Sequence, residues 1–446
     1  MVSNYQTMQE PSVQNNENDS TSKEPQLSNE PEGSVEAGEP EEPTYSEGGP
    51  KAILILFGCF CAFFSALSML NSIGAYQASI SQDQLKQIPQ GSIGWIFGFH
   101  GFFSFFSGLF FGPLFDAWGP KPLAAAASCT TAVTYLTLGV CRTYWEFFLC
   151  IGVMGGLTTA LMFTAAMGTV QHWFFRHRGM ATGIAVSGGS VGGIVFPTIL
   201  GALIPRLGFQ WATRVVGLTL VPVSLISLLL MKARFSAPFH SWRSIVPSLS
   251  PLRRLRNLLL AGSLFFVETS IFIPVAYLAS YGLQQGLPES ISYRLLTFLN
   301  VGSLIGRWLP GYLGDKIGRF NAFILALVLC LVSVLGIWLP AGSNKAQITA
   351  FAILFGIGSG SGISLAPACL SQLCNIEEYG RFFTTFYTVA SFGSLIGIPI
   401  SGQILEATKG DFYGLIVFAG LAYGCALFLL TLVRVLEVGW AFTTKF

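Results

Sequence analysis

The chain has 446 residues, 52% of them hydrophobic and only 10% charged, with a mean hydropathy of +0.60. An ordinary soluble domain carries about 25% charged residues, and so few charges cannot cover a water-facing surface around so much apolar material. A soluble enzyme, a nucleic-acid binder and a secreted disulfide scaffold are excluded, which leaves a polytopic α-helical membrane protein. Glycine, at 50 residues, is enriched as close-packed transmembrane helices require.

In chain order, the first element is polar. Residues 1–50 hold 11 of the 22 acids and one base, Lys23, for a net charge of −10, while residues 51–446 carry +12. The 1–50 stretch is rich in Glu, Ser, Asn, Pro and Gly, so a disordered acidic cytosolic tail is expected. From Lys51 onward, apolar stretches of about 20 residues, each enough to cross a bilayer, recur. They lie near 52–79, 92–112, 122–141, 145–169, 180–203, 211–231, 257–281, 291–312, 321–339, 347–369, 381–405 and 413–434. The fold class is an all-α membrane protein of twelve transmembrane helices in two halves. The expected domains are a six-helix half over 51–231, a basic cytosolic linker over 232–256, a second half over 257–434 and a short cytosolic tail over 435–446. With residue 51 inside, Lys and Arg number 15 on the inner side and 5 on the outer side. Positive charge collects in the cytosol, so both termini are expected there. The nine cysteines show no metal-like spacing, and neither a metal nor a cofactor is expected.

Polar groups inside the spans are costly and mark function. Asn71, Tyr76 and Gln77 in segment one, Tyr277 in segment seven, Asn300 and Arg307 in segment eight and Tyr387 in segment eleven are candidates to bind substrate. Asn300, Ser303 and Arg307 share one helix face by their i, i+3, i+7 spacing. A buried guanidinium there calls for a carboxylate or phosphate. Glu268 and His100 are candidates to couple protons. Packing roles are the alternatives: snorkelling for Arg307, a structural pair for Glu268, and a hydrogen-bonded brace for His100. At 1.5 Å per residue, Glu268 and Arg307 differ in depth by about 9 Å, so intermittent contact is expected rather than a permanent pair.

Two loops carry one phrase. After segment two the chain reads Gly112-Pro-Leu-Phe-Asp116-Ala-Trp-Gly119-Pro-Lys121, and after segment eight Gly311-Tyr-Leu-Gly-Asp315-Lys-Ile-Gly318-Arg319. The offset is 199 residues. A second phrase, Gly189-Ser190-Val-Gly-Gly193 and Gly393-Ser394-Leu-Ile-Gly397, recurs at an offset of 204. Two repeats at nearly one offset point to duplicated halves around a midplane site. The glycines are expected to let helices approach, and the aspartates to latch the halves on the cytosolic side. Gly356-x-Gly358-x-Gly360-x-Gly362 lies within an apolar helix and reads as packing.

The loop phrase resembles the signature of the major facilitator superfamily, and the resemblance covers roughly residues 51–440. The stretch Trp173-Phe-Phe-Arg176-His-Arg178-Gly-Met-Ala-Thr-Gly183-Ile-Ala-Val-Ser187-Gly188-Gly-Ser190 is similar to the fifth-helix signature of its monocarboxylate porter family. Gly306-Arg307-Trp-Leu-Pro310 resembles that family's eighth-helix region, and Asn71-Ser-Ile-Gly-Ala-Tyr76-Gln77 its fungal branch. The resemblance implies the major facilitator fold and secondary transport. It also implies a branch that includes riboflavin carriers and efflux proteins encoded beside secondary-metabolite pathways. Animal-type proton-linked members carry a Lys where Gln77 stands and an Asp where Ser303 stands.

The expected function is therefore secondary active transport of a small organic acid or anionic metabolite by alternating access, with no enzymatic activity. Efflux of a secondary metabolite and uptake of a vitamin or monocarboxylate are the competing directions, and a non-transporting sensor is the less favoured reading. The expected partners are a small-molecule substrate and the lipid bilayer, with no nucleic acid. The chain is expected to act as a monomer, in the plasma membrane rather than the vacuole.

Overall fold

Each apolar stretch of the sequence folds as a helix, because a backbone in hydrocarbon must satisfy its own hydrogen bonds. The computed structural model describes residues 49–174, 178–232, 250–370, 372–373 and 379–439, and these form helices and turns only. The acidic 1–48 stretch, most of the linker and the last residues expected as a tail lie outside the described residues.

The helices, in order, are α1 (Pro50–Gln82), α2 (Gln90–Trp118), α3 (Pro120–Leu138), α4 (Tyr144–Trp173), α5 (178–207) and α6 (209–230). They continue as α7 (Leu255–Gln284), α8 (Glu289–Ile317), α9 (Arg319–Trp338), α10 (Lys345–Leu370), α11 (Tyr379–Ala407) and α12 (Tyr413–Val438). Among the described residues nine helices are long and apolar enough to cross a membrane. One of the nine runs through both α5 and α6 and breaks at Gly208, while α3 and α8 fall outside that measure. Helix α12 extends past its expected end at 434, which places Glu437 in the helix, where it pairs with Arg256 of α7 at 2.9 Å. Arg434, 1% exposed, donates to Asn321 of α9.

The repeated loop phrase has a common backbone. Gly119 sits at φ 73° between α2 and α3, and Gly318 at φ 91° between α8 and α9. Each is the single residue between two helices. A side chain in that region of φ is strained by about 1–2 kcal/mol.

Small residues bring the helices into backbone contact. Helix α1 lies against α5, α2 against α11, α8 against α10 and α5, and α7 against α11 and α12. A β-carbon on Gly188 would stand 2.2 Å from the Phe60 carbonyl, and one on Gly98 would stand 2.4 Å from the Leu395 carbonyl. Gly306 and Gly356 come equally close to α10 and α8 respectively. The four-glycine run of α10 is thus packing, with Gly358 turned to α9.

One end of the bundle is closed. There Gly74 of α1 meets the Val275 and Ala276 carbonyls of α7, and Gly91 and Gly94 of α2 meet Gln403 and Pro399 of α11. At the opposite end Gly112 and Gly179 face open space, with nothing within 4 Å of a β-carbon. The expectation that Gly112 holds two helices together is therefore not met in this conformation.

Candidate functional site

The polar cluster starts from a defect in α1. The helix breaks at Ser72, where the Ala75 amide bonds to the Ser72 carbonyl at 2.9 Å instead of to Asn71. The freed Asn71 carbonyl accepts from Asn300 Nδ2 of α8 at 3.2 Å. Asn71 Nδ2 donates in turn to the Gly189 carbonyl of α5 at 2.7 Å. Ser190 Oγ donates to Ser303 Oγ at 3.4 Å. One turn further, Arg307 Nη1 donates to the Val186 carbonyl. The face Asn300, Ser303, Arg307 is thus laid along the Val186–Gly193 stretch of α5. A β-carbon at Gly193 would collide with Asn300 at 2.2 Å.

Arg307 is 2% exposed, and its Nε and Nη2 have no protein partner. Ser364 of α10 uses the Arg307 carbonyl, at 3.3 Å, and leaves the guanidinium alone. A buried charge with unused donors is costly unless an anion or water meets it. The snorkelling alternative does not fit a side chain sealed between α5 and α8.

Glu268 of α7 is half-buried and accepts from Ser394 Oγ of α11 at 3.2 Å. It forms no ion pair with Arg307. Ser394 belongs to the second repeated phrase, which the sequence offered as a sign of duplicated halves and not as a site, so this partner was missed. Tyr387 of α11, also half-buried, packs at a tilt on Phe383 with ring centroids 4.4 Å apart and meets Phe105 of α2 at 5.8 Å. Phe105 and Phe63 flank Phe163 of α4 at 6.3 and 5.3 Å. With 39 phenylalanines in the chain, no spacing singles these out.

Other candidates sit elsewhere. Tyr76 is 1% exposed and lies beside Tyr135 of α3, which turns it into the helix bundle. Gln77 and Tyr277 meet in the sealed contact of α1 with α7, where the Tyr277 hydroxyl donates to the Ile398 carbonyl of α11 at 3.0 Å. His100 is fully buried, with Nδ1 2.8 Å from the Ile151 carbonyl. Ile151 lies in a π-helical stretch of α4, Phe148–Gly155. There Gly155 leaves room for the imidazole ring. That geometry braces α2 against α4 through Nδ1, while Nε2 is buried without a protein partner.

The loop and signature residues divide similarly. Asp116 is exposed at the end of α2 and makes no ion pair among the described residues, and Lys121 is exposed on α3. Arg319 Nη1 donates to the Ala368 carbonyl of α10 at 3.4 Å. Gly311 lies in α8, and the side chain of Asp315 lies outside the described residues, as do Arg176 and the side chain of Arg178. Gly183 approaches the Arg307 carbonyl at 3.3 Å, Ser187 bonds within its own helix at 2.6 Å, and Gly188 packs on α1.

The same architecture recurs in known proteins. A model of the major facilitator superfamily matches residues 57–398 and 311–440. The chain belongs to the major facilitator superfamily. It is 33% identical over 390 residues to an MFS-type transporter of Gibberella moniliformis, covering 87% of this chain and 92% of the relative. It is 31% identical over 401 residues to a riboflavin transporter of Saccharomyces cerevisiae, covering 85% and 77%. A fujikurins efflux protein of Gibberella fujikuroi is 33% identical over 384 residues, covering 84% and 80%. The crystal structure of a nucleoside transporter, at 12% identity, superposes with a TM-score of 0.67 and covers 86% of this chain and 100% of that one. This member of the superfamily is a multi-pass membrane transporter and not an enzyme.

Proposed function

We propose that this facilitator moves a small organic acid or other anionic metabolite by alternating access, with residues 51–231 and 257–434 as its two rocking halves. The observation that carries the reading is Arg307: a guanidinium sealed from water with two nitrogen groups unused. A substrate carboxylate supplies the missing acceptors. Glu268, half-buried across α7 and α11, takes the proton that couples the flux. The Lys and Arg count favours both termini in the cytosol, and on that reading the end closed by Gly74, Gly91 and Gly94 faces outward. Asp116 and Asp315 latch the opposite conformation. Relatives named as efflux proteins for fujikurins and aspyridones support export, and the proposal keeps the expected monomer in the plasma membrane. A riboflavin transporter among the relatives keeps vitamin uptake as the competing reading.

Purified protein in lipid vesicles tests the proposal against a set of aromatic and aliphatic carboxylates. Binding is read as thermal stabilisation and flux as uptake. Acids should stabilise the wild type and not Arg307→Ala, while their amides should stabilise neither. Equal stabilisation of the two proteins would remove the carboxylate reading.

A further inference from the structure

The α2–α11 contact changes character halfway along. Toward the closed end, β-carbons at Gly91, Gly94, Gly98 and Gly101 would lie 2.7, 2.9, 2.4 and 3.1 Å from α11. The two backbones touch. Past Ser394 the next glycines of α2 are free of α11. Gly108 finds only Thr164 of α4, at 3.9 Å, and Gly112 finds nothing within 4 Å.

Aromatic rings fill the space where the helices part, in two layers. Toward the lipid, Phe102 and Phe106 stack at 4.7 Å, and Phe392 of α11 lies 5.3 and 6.4 Å from them. Phe392 is 46% exposed on the outside of the bundle. On the inner side, Phe105 meets Tyr387, which packs on Phe383 two helical turns along α11 from the Ser394 that bonds Glu268. Over this stretch ring contacts take the place of close backbone contact. Such a contact can open without stranding a polar group, because each helix satisfies its own backbone. The α5–α8 contact cannot part so cheaply. It is tied by Thr198 to Thr297 at 3.0 Å, by Ser190 to Ser303, and by Arg307 to Val186.

We propose that α2 and α11 form a lateral gate, through which a lipophilic, ring-bearing organic anion passes between the bilayer leaflet on the Gly112 side and the interior. The proposal rests on the reading of this protein as an organic-anion carrier and names the class of anion and its route. An acid of this kind dissolves in the leaflet with its rings among the chains and its carboxylate at the interface. It exchanges lipid for the rings of Phe106 and Phe392, then for those of Phe105 and Tyr387. Its carboxylate is left to the buried polar groups beyond.

The test uses 4-benzoylbenzoate, a two-ring acid whose ketone inserts into neighbouring C–H bonds under ultraviolet light. The full-length protein in lipid vesicles is irradiated with it, with and without excess 4-phenylbenzoate, and labelled peptides are mapped by mass spectrometry. Label should fall on residues 102–112 and 383–392, and the competitor should chase it off. Exposed positions on α12 such as Leu421 and Phe428, at 63% and 68% exposure, report simple partitioning and should keep their label. In Phe106→Ala/Phe392→Ala the chaseable label should fall about fivefold, the scale of a ring-on-ring contact. The wild-type pattern needs no variant. Label on the seam that is not chased, or is no heavier than on α12, overturns the gate. Arg307→Ala separates the two proposals: normal acid transport with the seam label intact removes the role of Arg307 and leaves the gate standing.

Discussion

Among the contacts that join the first six helices to the last six, α2 with α11 and α5 with α8 are built from different chemistry. By the 199-residue offset, the positions of Asn300, Ser303 and Arg307 on α8 correspond to Gly101, Ser104 and Gly108 on α2. By the 204-residue offset, Gly189, Ser190 and Gly193 on α5 correspond to Gly393, Ser394 and Gly397 on α11. One scaffold has therefore been filled twice. On α5–α8 hydroxyls and a guanidinium reach across to hydroxyl and backbone groups, and beside them the Asn300 amide reaches α1. On α2–α11 glycine brings backbones together at one end, and rings fill the other. A duplicated frame lets one seam stay tied while its counterpart is free to part.

The comparison is broken most severely at Arg307. Arg307→Ala should cost at least about 3 kcal/mol of anion binding, more than 100-fold in affinity, and Arg307→Lys should restore only part of it. Titration with the acid that best stabilises the wild type decides this. Next in size, Gly98→Val places carbon against the Leu395 carbonyl and should disfavour the closed end by about 1–3 kcal/mol. A cysteine at Ser401, buried on α11 at that end, would then react faster with an impermeant maleimide, whereas Gly112→Val should leave that rate alone in this conformation. Unchanged labelling in Gly98→Val would mean the α2–α11 contact is not the seal. Asp116→Asn and Asp315→Asn should each slow turnover roughly fivefold, about 1 kcal/mol of conformational bias, in protein that still reaches the membrane. Glu268→Gln should bind the acid normally yet lose the pH dependence of uptake, because the amide cannot take a proton. A retained pH profile would move coupling to another group. Deleting residues 1–45 should have the smallest effect, with flux per transporter unchanged, because that stretch has little apolar surface to bury.

Hydropathy and the recurring phrases made the helix order and the superfamily legible before any coordinates. The polar face of α8 was legible too, since i, i+3, i+7 spacing fixes a face. What that face meets was not. Which helix lies opposite Asn300 and Arg307 is a tertiary fact, and only the fold pairs them with the glycine-serine phrase of α5. Tyr76, turned into the bundle beside Tyr135, shows the converse. A polar residue in a span satisfies the rule for function equally well when it merely braces a neighbour, and rotation about the helix axis decides between the two. The break at Ser72 was not singled out either: Gly74 lies in its turn, but glycines recur throughout the spans.

The glycine joints at 119 and 318 have a mechanical consequence. Two helices joined through one residue hold the Cα atoms on either side of it within about 7 Å of each other, since consecutive Cα atoms are 3.8 Å apart. Neither α2 and α3 nor α8 and α9 can slide apart at that end. Each pair is a lever with a fixed elbow, and whatever motion α2 makes against α11 is handed to α3 as rotation. Lengthening either elbow by a few flexible residues would leave every helix intact and yet uncouple the outer rank of helices from the moving one.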